Sequence, residues 1–262
     1  MKIEVILTPA ELPLLAKRDL PDAACLVFDV LRATSTMVMA LHNGAKAIVP
    51  VSEIAEALAF RQKQPDVLLG GERNGVRIRA AQTGGTDFDL GNSPREYTLE
   101  RVAGKTIVST TTNGTRALRA CAGAKTILAA SFLNLTATAE LVKKDQPAQL
   151  LLVCAGTREN TALEDVLAAG AMGEMLLNKP LSPALSPLGR GEGVIQTSDS
   201  AEMARRVYAQ AKSDLAAAVR TSENARRLLA IPELRDDVSF CLQQDIFPLI
   251  ARMGADGTIR SI

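Results

Sequence analysis

The chain has 262 residues, 47% of them hydrophobic and 23% charged, and a formal net charge of +1. That length suffices for a full hydrophobic core, and the near-zero balance leaves no basic footprint for nucleic acid. Aromatic residues make up 3% and Trp is absent, which removes the stacking platforms that hold single strands.

The opening segment, MKIEVILTPAELP, carries an acidic residue inside a short apolar run and has neither a basic leader region nor a small-residue cleavage site. It is expected to be the first strand, at 2–7. Further strands are expected at 25–30, 47–51, 67–70, 106–109, 126–130 and 150–154. Between them, apolar residues at three- and four-residue spacings predict helices at 36–43, 54–62, 114–121, 134–144 and 162–178. The alternation predicts an α/β fold: a three-layer α/β/α arrangement with a mixed, largely parallel sheet.

After residue 178 the character changes. Residues 180–193, PLSPALSPLGRGEG, repeat their own Leu-Ser-Pro and lack helical or strand periodicity, so a low-complexity loop insertion without a catalytic role is expected. A long amphipathic helix is expected at 198–221 and another at 222–229. No linker divides the chain, so a single domain over 1–262 is expected. No stretch approaches the roughly 18 apolar residues of a membrane-spanning helix, and no membrane partner is expected. Cys25, Cys121, Cys154 and Cys241 are far apart without a C-x-x-C pair, so they read as buried small hydrophobes in a reduced cytoplasm. A homo-oligomer formed through an exposed sheet edge stays open.

Three segments share one pattern, an apolar run ending in a Thr/Ser/Gly cluster that opens a helix: CLVFDVLRATST from Cys25, TIVSTTTNGTRA from Thr106 and LLLVCAGTRENTALED from Leu150. Each places backbone N–H groups, small hydroxyls and an Arg where a strand hands over to a helix, which favours anions. Three such turns suggest a small, multiply charged ligand. The first two also read as an internal duplication, with GAKAIVPVS from Gly44 matching GAKTILAAS from Gly123 and Thr36 falling on Thr115 in the same register. Chance likeness of two βαβ units is the rival explanation.

Asp29 ends an apolar run, followed by Arg32, Thr34, Ser35 and Thr36. It reads either as a metal-holding carboxylate at a sheet edge beside a phosphoryl-binding Arg and hydroxyls, or as a turn cap paired with Arg32. In Thr110-Thr111-Thr112-Asn113-Gly114-Thr115-Arg116, five hydroxyl or amide side chains exceed what a cap requires, which favours anion binding. Glu72, in Gly70-Gly71-Glu72-Arg73-Asn74-Gly75, reads as a second metal ligand or as part of a solvated turn with a surface ion pair.

Asp87 and Asp89 do not follow a buried strand, so neither is read as a phosphoryl-accepting nucleophile. Asn92 and Ser93, before Pro94, read as a helix start or a site rim. Glu164 and Asp165 are adjacent on a helix and point about 100° apart, so one is expected to face the strand ends and the other solvent. His42, the one histidine, is expected at a helix end on the surface. Acid or base work then falls to carboxylates, metal-bound water or Lys. No G-x-x-x-x-G-K-[ST] or G-x-G-x-x-G run supports nucleotide-dependent phosphotransfer.

The segments VFDVLRATST, GGERNG, FDLGNSP, STTTNGTRA, CAGTRENTALEDVLAAG and SENARRLLAIPELRDDVSFCLQQD, in that order, resemble the 2-phosphosulfolactate phosphatase family over nearly the full length. The resemblance implies an α/β/α fold and a Mg²⁺-dependent phosphoric monoester hydrolase converting 2-phospho-3-sulfolactate to 3-sulfolactate and phosphate, in coenzyme M biosynthesis. On that basis Asp29, Glu72 and Asp165 are expected to hold Mg²⁺. Arg32, Ser35 and Thr36 are expected to hold the phosphoryl group. Arg73, Asn113, Gly114, Thr115 and Arg116 are expected to serve the remaining anionic groups. A phosphatase of another small phosphorylated acid and a non-catalytic binder of an anionic metabolite are the competing functions.

Overall fold

A computed structural model describes residues 1–177 and 195–262. The low-complexity segment 180–193 lies outside the described residues. The strands are β1 (Lys2–Ile6), β2 (Ala23–Phe28), β3 (Ala47–Pro50), β4 (Leu68–Arg73), β5 (Val76–Arg77), β6 (Thr106–Thr110), β7 (Thr126–Ala130), β8 (Gln149–Cys154), β9 (Gln196–Thr197), β10 (Ala251–Met253) and β11 (Ile259–Ser261). They form one sheet in the order β5-β4-β6-β3-β11-β10-β7-β2-β8-β1-β9. The pairings β4/β6, β3/β6, β2/β7, β2/β8 and β1/β8 are parallel. The short hairpin β10/β11 runs antiparallel between β7 and β3.

Period-2 alternation in the buried strands explains the layers. On β2, Ala24, Leu26 and Phe28 point into one core with Leu128, Leu150 and Leu152. Ala23, Cys25 and Val27 point into the other with Ile127, Leu151 and Val153. Helices Leu135–Asp145, Leu163–Leu177 and Asp199–Ala211 contribute to the first core; Ala33–His42 and Gly114–Ala120 contribute to the second. The expected three-layer arrangement is therefore present. All four cysteines are buried and free. Among the described residues no helix is long and apolar enough to cross a membrane.

The two similar strand, helix and strand segments occupy corresponding places in the topology. β2 leads through the helix Ala33–His42 to β3, and β6 leads through Gly114–Ala120 to β7. β3 pairs with β6 and β7 pairs with β2, so each copy gives one strand to each half of the sheet. The three antiparallel pairings through β10 and β11 make the two halves run in opposite directions, and the carboxyl ends of β2 and β6 meet between them, where Gly114 lies against Asp29 and Ala33.

The structure corrects several expected elements. The helix expected over 198–221 breaks into Asp199–Ala211 and Leu215–Arg220, because the Asp214 side chain accepts from Ala217 N at 2.9 Å and caps a new start. The strand expected at 67–70 runs on to Arg73 and turns back into β5 through Asn74 (φ 56°) and Gly75 (φ 82°). That two-residue Asn-Gly turn is a hairpin signal present in the sequence. The helix Arg235–Cys241 and the β10/β11 hairpin had no sequence counterpart in the reading above.

Helices Leu163–Leu177 and Asp199–Ala211 meet most closely at Gly170, where an added Cβ would sit 2.2 Å from the Ala204 carbonyl oxygen. Gly170→Ala is expected to lower stability by about 1–3 kcal/mol through overpacking, read as a lower urea midpoint. An unchanged midpoint would show that the helices separate freely.

Candidate active site

A small cleft, partly open to solvent, lies at the carboxyl ends of β2, β4, β6 and β8. Ligands of parallel α/β units are taken beyond the carboxyl ends of the strands, and here those ends from the two oppositely directed halves converge on one cleft. Its walls come from the loops that follow each strand: Asp29 and Arg32 after β2, Asn74 and Gly75 after β4, Thr112 and Asn113 after β6, and Gly156 to Arg158 after β8. Glu72 reaches it from the end of β4 itself, and Asn224 and Arg227 close it from the helix Glu223–Leu229.

Asp29 is the first residue beyond β2. Its Oδ1 accepts from Ala33 N at 3.0 Å, and its backbone carbonyl accepts from Thr34 N, which starts the helix. Oδ2 has no protein partner among the described residues and lies beside Gly114, where an added Cβ would come within 2.6 Å of it. The two readings of Asp29 thus coexist in one side chain, with one oxygen capping and the other facing the cleft. Burial, and after it the charges of Glu72 and Glu164, push its carboxyl up to about 7, against the opposing Ala33 hydrogen bond and the Arg32 charge.

Glu72 is buried, so the solvated-turn reading does not hold. Its Oε1 accepts from both the N–H and the hydroxyl of Thr112 at 2.8 Å, and Oε2 accepts from Gly75 N at 2.6 Å. It ties the β4 turn to the β6 loop while lining the cleft. Arg73 does not pair with it; the Arg73 guanidinium reaches the carbonyls of Glu72, Thr110 and Ser52, outside the cleft.

Arg32 lines the cleft with its guanidinium held from behind. Nη1 donates to Asp237 Oδ2 at 2.7 Å and Nη2 donates to the Gly75 carbonyl at 2.6 Å, and both members of the ion pair are buried. Asp237 also accepts from Ser93 Oγ at 2.7 Å, which fixes the Asn92-Ser93 rim.

Ser35 and Thr36 do not join Arg32 in the cleft. Ser35 Oγ donates to the Val30 carbonyl and Thr36 Oγ1 to the Asn92 carbonyl, both at 2.8 Å, so these hydroxyls hold loops. Thr115 exchanges bonds with Thr111 inside its own turn. Arg116 is turned outward onto Glu159. Asn113 does line the cleft; its amide donates to the Ala155 and Arg158 carbonyls and accepts from Arg158 N, holding Arg158 at φ 56°. Gly114 is present because neither Asp29 nor Ala33 leaves room for a Cβ.

Asp165 lies behind the cleft. Its two oxygens accept from Val30 N at 2.8 Å and Gly156 N at 3.0 Å, joining the β2 and β8 loops. The expected exposure of one of the two adjacent carboxylates is wrong, since Glu164 and Asp165 are both 1% exposed. The helix Glu223–Leu229 covers Glu164, whose Oε1 accepts from Asn224 Nδ2 at 3.1 Å. Burial raises the carboxyls of both residues.

Thr112, Thr157, Arg158, Asn224 and Arg227 line the cleft without having been assigned a role from sequence. Asn224 and Arg227 sit in the SENARR run, whose Ser222 caps the helix by accepting from Ala225 N. That start was legible, but which loop it would cover was not. Asp87 and Asp89 lie away from the cleft on Arg79 and Arg61, as their context suggested. His42 is exposed at its helix end and stacks on Phe247.

Among the described residues no three His, Cys, Asp or Glu side chains form a ready-made metal cage. Mg²⁺ ordinarily takes one or two protein carboxylates and completes its shell with water and substrate phosphate oxygens. Asp29, with its free Oδ2, and Glu72 fit that donor chemistry. Asp165 does not line the cleft and joins two of its loops from behind, which fits a positioning role.

The raised Asp29 carboxyl sets a sign for pH. Between its ordinary value of 3.8 and about 7, the folded chain holds a proton that the unfolded chain has released, so stability falls as pH rises through that window. Glu164 and Asp165 act in the same direction. The Tm of metal-free protein is expected to fall between pH 5.5 and 8, and Asp29→Asn to flatten that fall. An Asp29→Asn slope equal to the wild type's would refute it.

The model of the 2-phosphosulpholactate phosphatase family matches residues 7–255. A relative from Thermotoga petrophila is 40% identical over 224 residues, covering 86% of each chain. One from Caldanaerobacter subterraneus is 35% identical over 246 residues, covering 93% of this chain and 92% of its own. One from Synechococcus sp. is 35% identical over 263 residues, spanning both chains in full. All three carry the name "Probable 2-phosphosulfolactate phosphatase". With a match spanning nearly the whole chain and a cleft that gathers carboxylates and guanidiniums where the carboxyl ends of strands from both halves of the sheet meet, the chain belongs to the 2-phosphosulpholactate phosphatase family, whose named reaction is the hydrolysis of a phosphoric monoester.

Proposed function

We propose that this protein is a Mg²⁺-assisted phosphatase that hydrolyses 2-phospho-3-sulfolactate to 3-sulfolactate and phosphate. The observation carrying the reading is the division of charge within one cleft. Asp29 and Glu72 stand at the ends of β2 and β4, with the guanidiniums of Arg32, Arg158 and Arg227 around them. A cleft with carboxylates alone would repel such a substrate, and one with guanidiniums alone would bind it without a place for a cation.

In this reading Asp29 and Glu72 hold Mg²⁺, which when bound neutralises phosphate charge and lowers the pKa of water. Arg32 donates to the phosphoryl oxygens with its remaining N–H groups. Because Asp237 and the Gly75 carbonyl already fix its plane, little reorganisation is needed as charge grows on those oxygens. Asn92 and Thr112 border the same space and orient the ester. Glu72 and Asp165 keep the four loops in register through backbone N–H bonds, so the donors stay aligned. A place in coenzyme M biosynthesis follows from the substrate's chemistry, and a cytoplasmic location from the free, buried cysteines.

Phosphate release from racemic phosphosulfolactate and from a panel of small phosphate esters, with Mg²⁺ and then with EDTA, tests the proposal. Release that needs Mg²⁺ and favours the sulfonated ester is expected; preference for another ester would move the substrate, and no release from any would favour a binder. Asp29→Asn is expected to lower kcat by about 10²- to 10³-fold, the scale of one lost electrostatic contact to the transition state. Wild-type turnover in that variant would remove Asp29 from the chemistry.

A further inference from the structure

Of the four buried side-chain polar atoms that lack a partner among the described residues, two belong to residues lining the cleft, Thr157 Oγ1 and Arg227 Nε, and a third is Glu164 Oε2. Thr157 and Arg227 line the cleft, and Glu164 is one hydrogen bond behind it through Asn224. Buried donors without acceptors are rare and costly in folded proteins, and two bordering one space call for an acceptor there. Thr157 is 7% exposed, so solvent does not supply that acceptor freely.

Charge pairing separates Arg227 from the other two guanidiniums of the cleft. Arg32 is neutralised by Asp237 and Arg158 faces Glu223, whereas Arg227 meets no carboxylate within salt-bridge distance among the described residues. Its guanidinium lies against Gly75, where an added Cβ would be 3.6 Å from Cζ, and Nη2 donates to Asn224 Oδ1 at 2.6 Å. Asn224 in turn donates to the Leu31 carbonyl. Arg227 is therefore a positioned cation with an unused Nε–H, in a cleft that also holds an unused hydroxyl on the β8 loop.

We propose that Thr157 and Arg227 form the subsite for the sulfonate, the anionic end of the ligand remote from the phosphoryl group. The inference rests on the phosphatase reading for the identity of the ligand but not for the existence of the subsite. A sulfonate is tetrahedral with three diverging oxygens, which suits one N–H and one O–H arriving from different elements. A carboxylate is planar and is taken best by two parallel N–H groups of one guanidinium. The phosphoryl group belongs with Asp29 and Glu72, which provide for the cation that its charge requires.

The test uses calorimetric titration of the full chain with 3-sulfolactate, lactate and inorganic phosphate, none of which needs turnover. The wild type is expected to bind 3-sulfolactate more tightly than lactate. Thr157→Val and Arg227→Gln are each expected to shrink that preference by about 10- to 100-fold, as loss of a charge-assisted hydrogen bond does. Their phosphate affinity is expected to change less than about threefold. Thr157→Ser, which keeps the hydroxyl, should restore the preference, which separates recognition from damage to the fold. The proposal is overturned if the wild type does not prefer 3-sulfolactate, if the preference survives in both variants, or if phosphate binding weakens as much as sulfonate binding. Should the preference behave as expected while no ester is hydrolysed, the subsite stands and the phosphatase reading fails.

Discussion

The meeting of two helix starts at Gly114 organises the rest of the molecule. In the sheet, β2 and β6 are separated by β7, β10, β11 and β3, yet an added Cβ on Gly114 would come within 2.6 Å of both Ala33 Cβ and Asp29 Oδ2. This contact is possible because each copy of the strand, helix and strand unit begins in one half of the sheet and ends in the other. The halves run in opposite directions, and the two crossover helices start side by side where the carboxyl ends of β2 and β6 meet. Their N–H ends and the loops of β4 and β8 enclose one shared cleft, so three anion-ready turns of the chain act on a single ligand space rather than three.

Buried charge is the cost of that arrangement and also its use. Asp29, Glu72, Glu164 and Asp165 are all withdrawn from water within one neighbourhood, and Arg32 is paired with Asp237 in a site that solvent hardly reaches. Withdrawing a carboxylate from water is unfavourable unless it is hydrogen-bonded or joined by a cation. Asp165 meets that condition with two backbone N–H groups, and Glu72 with three donors from two loops. Asp29 meets it by half, and its raised carboxyl records the other half. Of the two carboxylates that line the cleft, Asp29 keeps an oxygen without a protein partner among the described residues, whereas Glu72 also holds the loops together.

The turn Asn74-Gly75 shows how little backbone is needed to couple the parts. Its N–H donates to Glu72 and its carbonyl accepts from Arg32, while the missing Gly75 side chain lets Arg227 lie against it. A carboxylate, a buried ion pair and a cation on a distant helix therefore share one glycine. The left-handed conformation there admits Gly readily and strains larger residues.

Alternation of apolar residues determined the central strands, the helices between them and the layered α/β class, because period and burial are local properties that each segment carries by itself. The strand-end clusters at Asp29, Glu72 and Asn113 were legible for the same reason, since small polar residues after a buried strand have few other uses. Side-chain direction was not. Ser35, Thr36 and Thr115 look like ligand-binding hydroxyls in the sequence, and each one donates to a nearby backbone carbonyl. Asp165 looks like a metal ligand and instead accepts from two loops. Asn224, Arg227 and Asp237 sit far along the chain from Leu31, Arg32 and Gly75, and only the packing of the closing helices over the β2 loop decided that they meet. Hydrogen-bond partners of that kind depend on which loop a helix covers, a long-range choice made by the burial of whole faces that no single segment encodes.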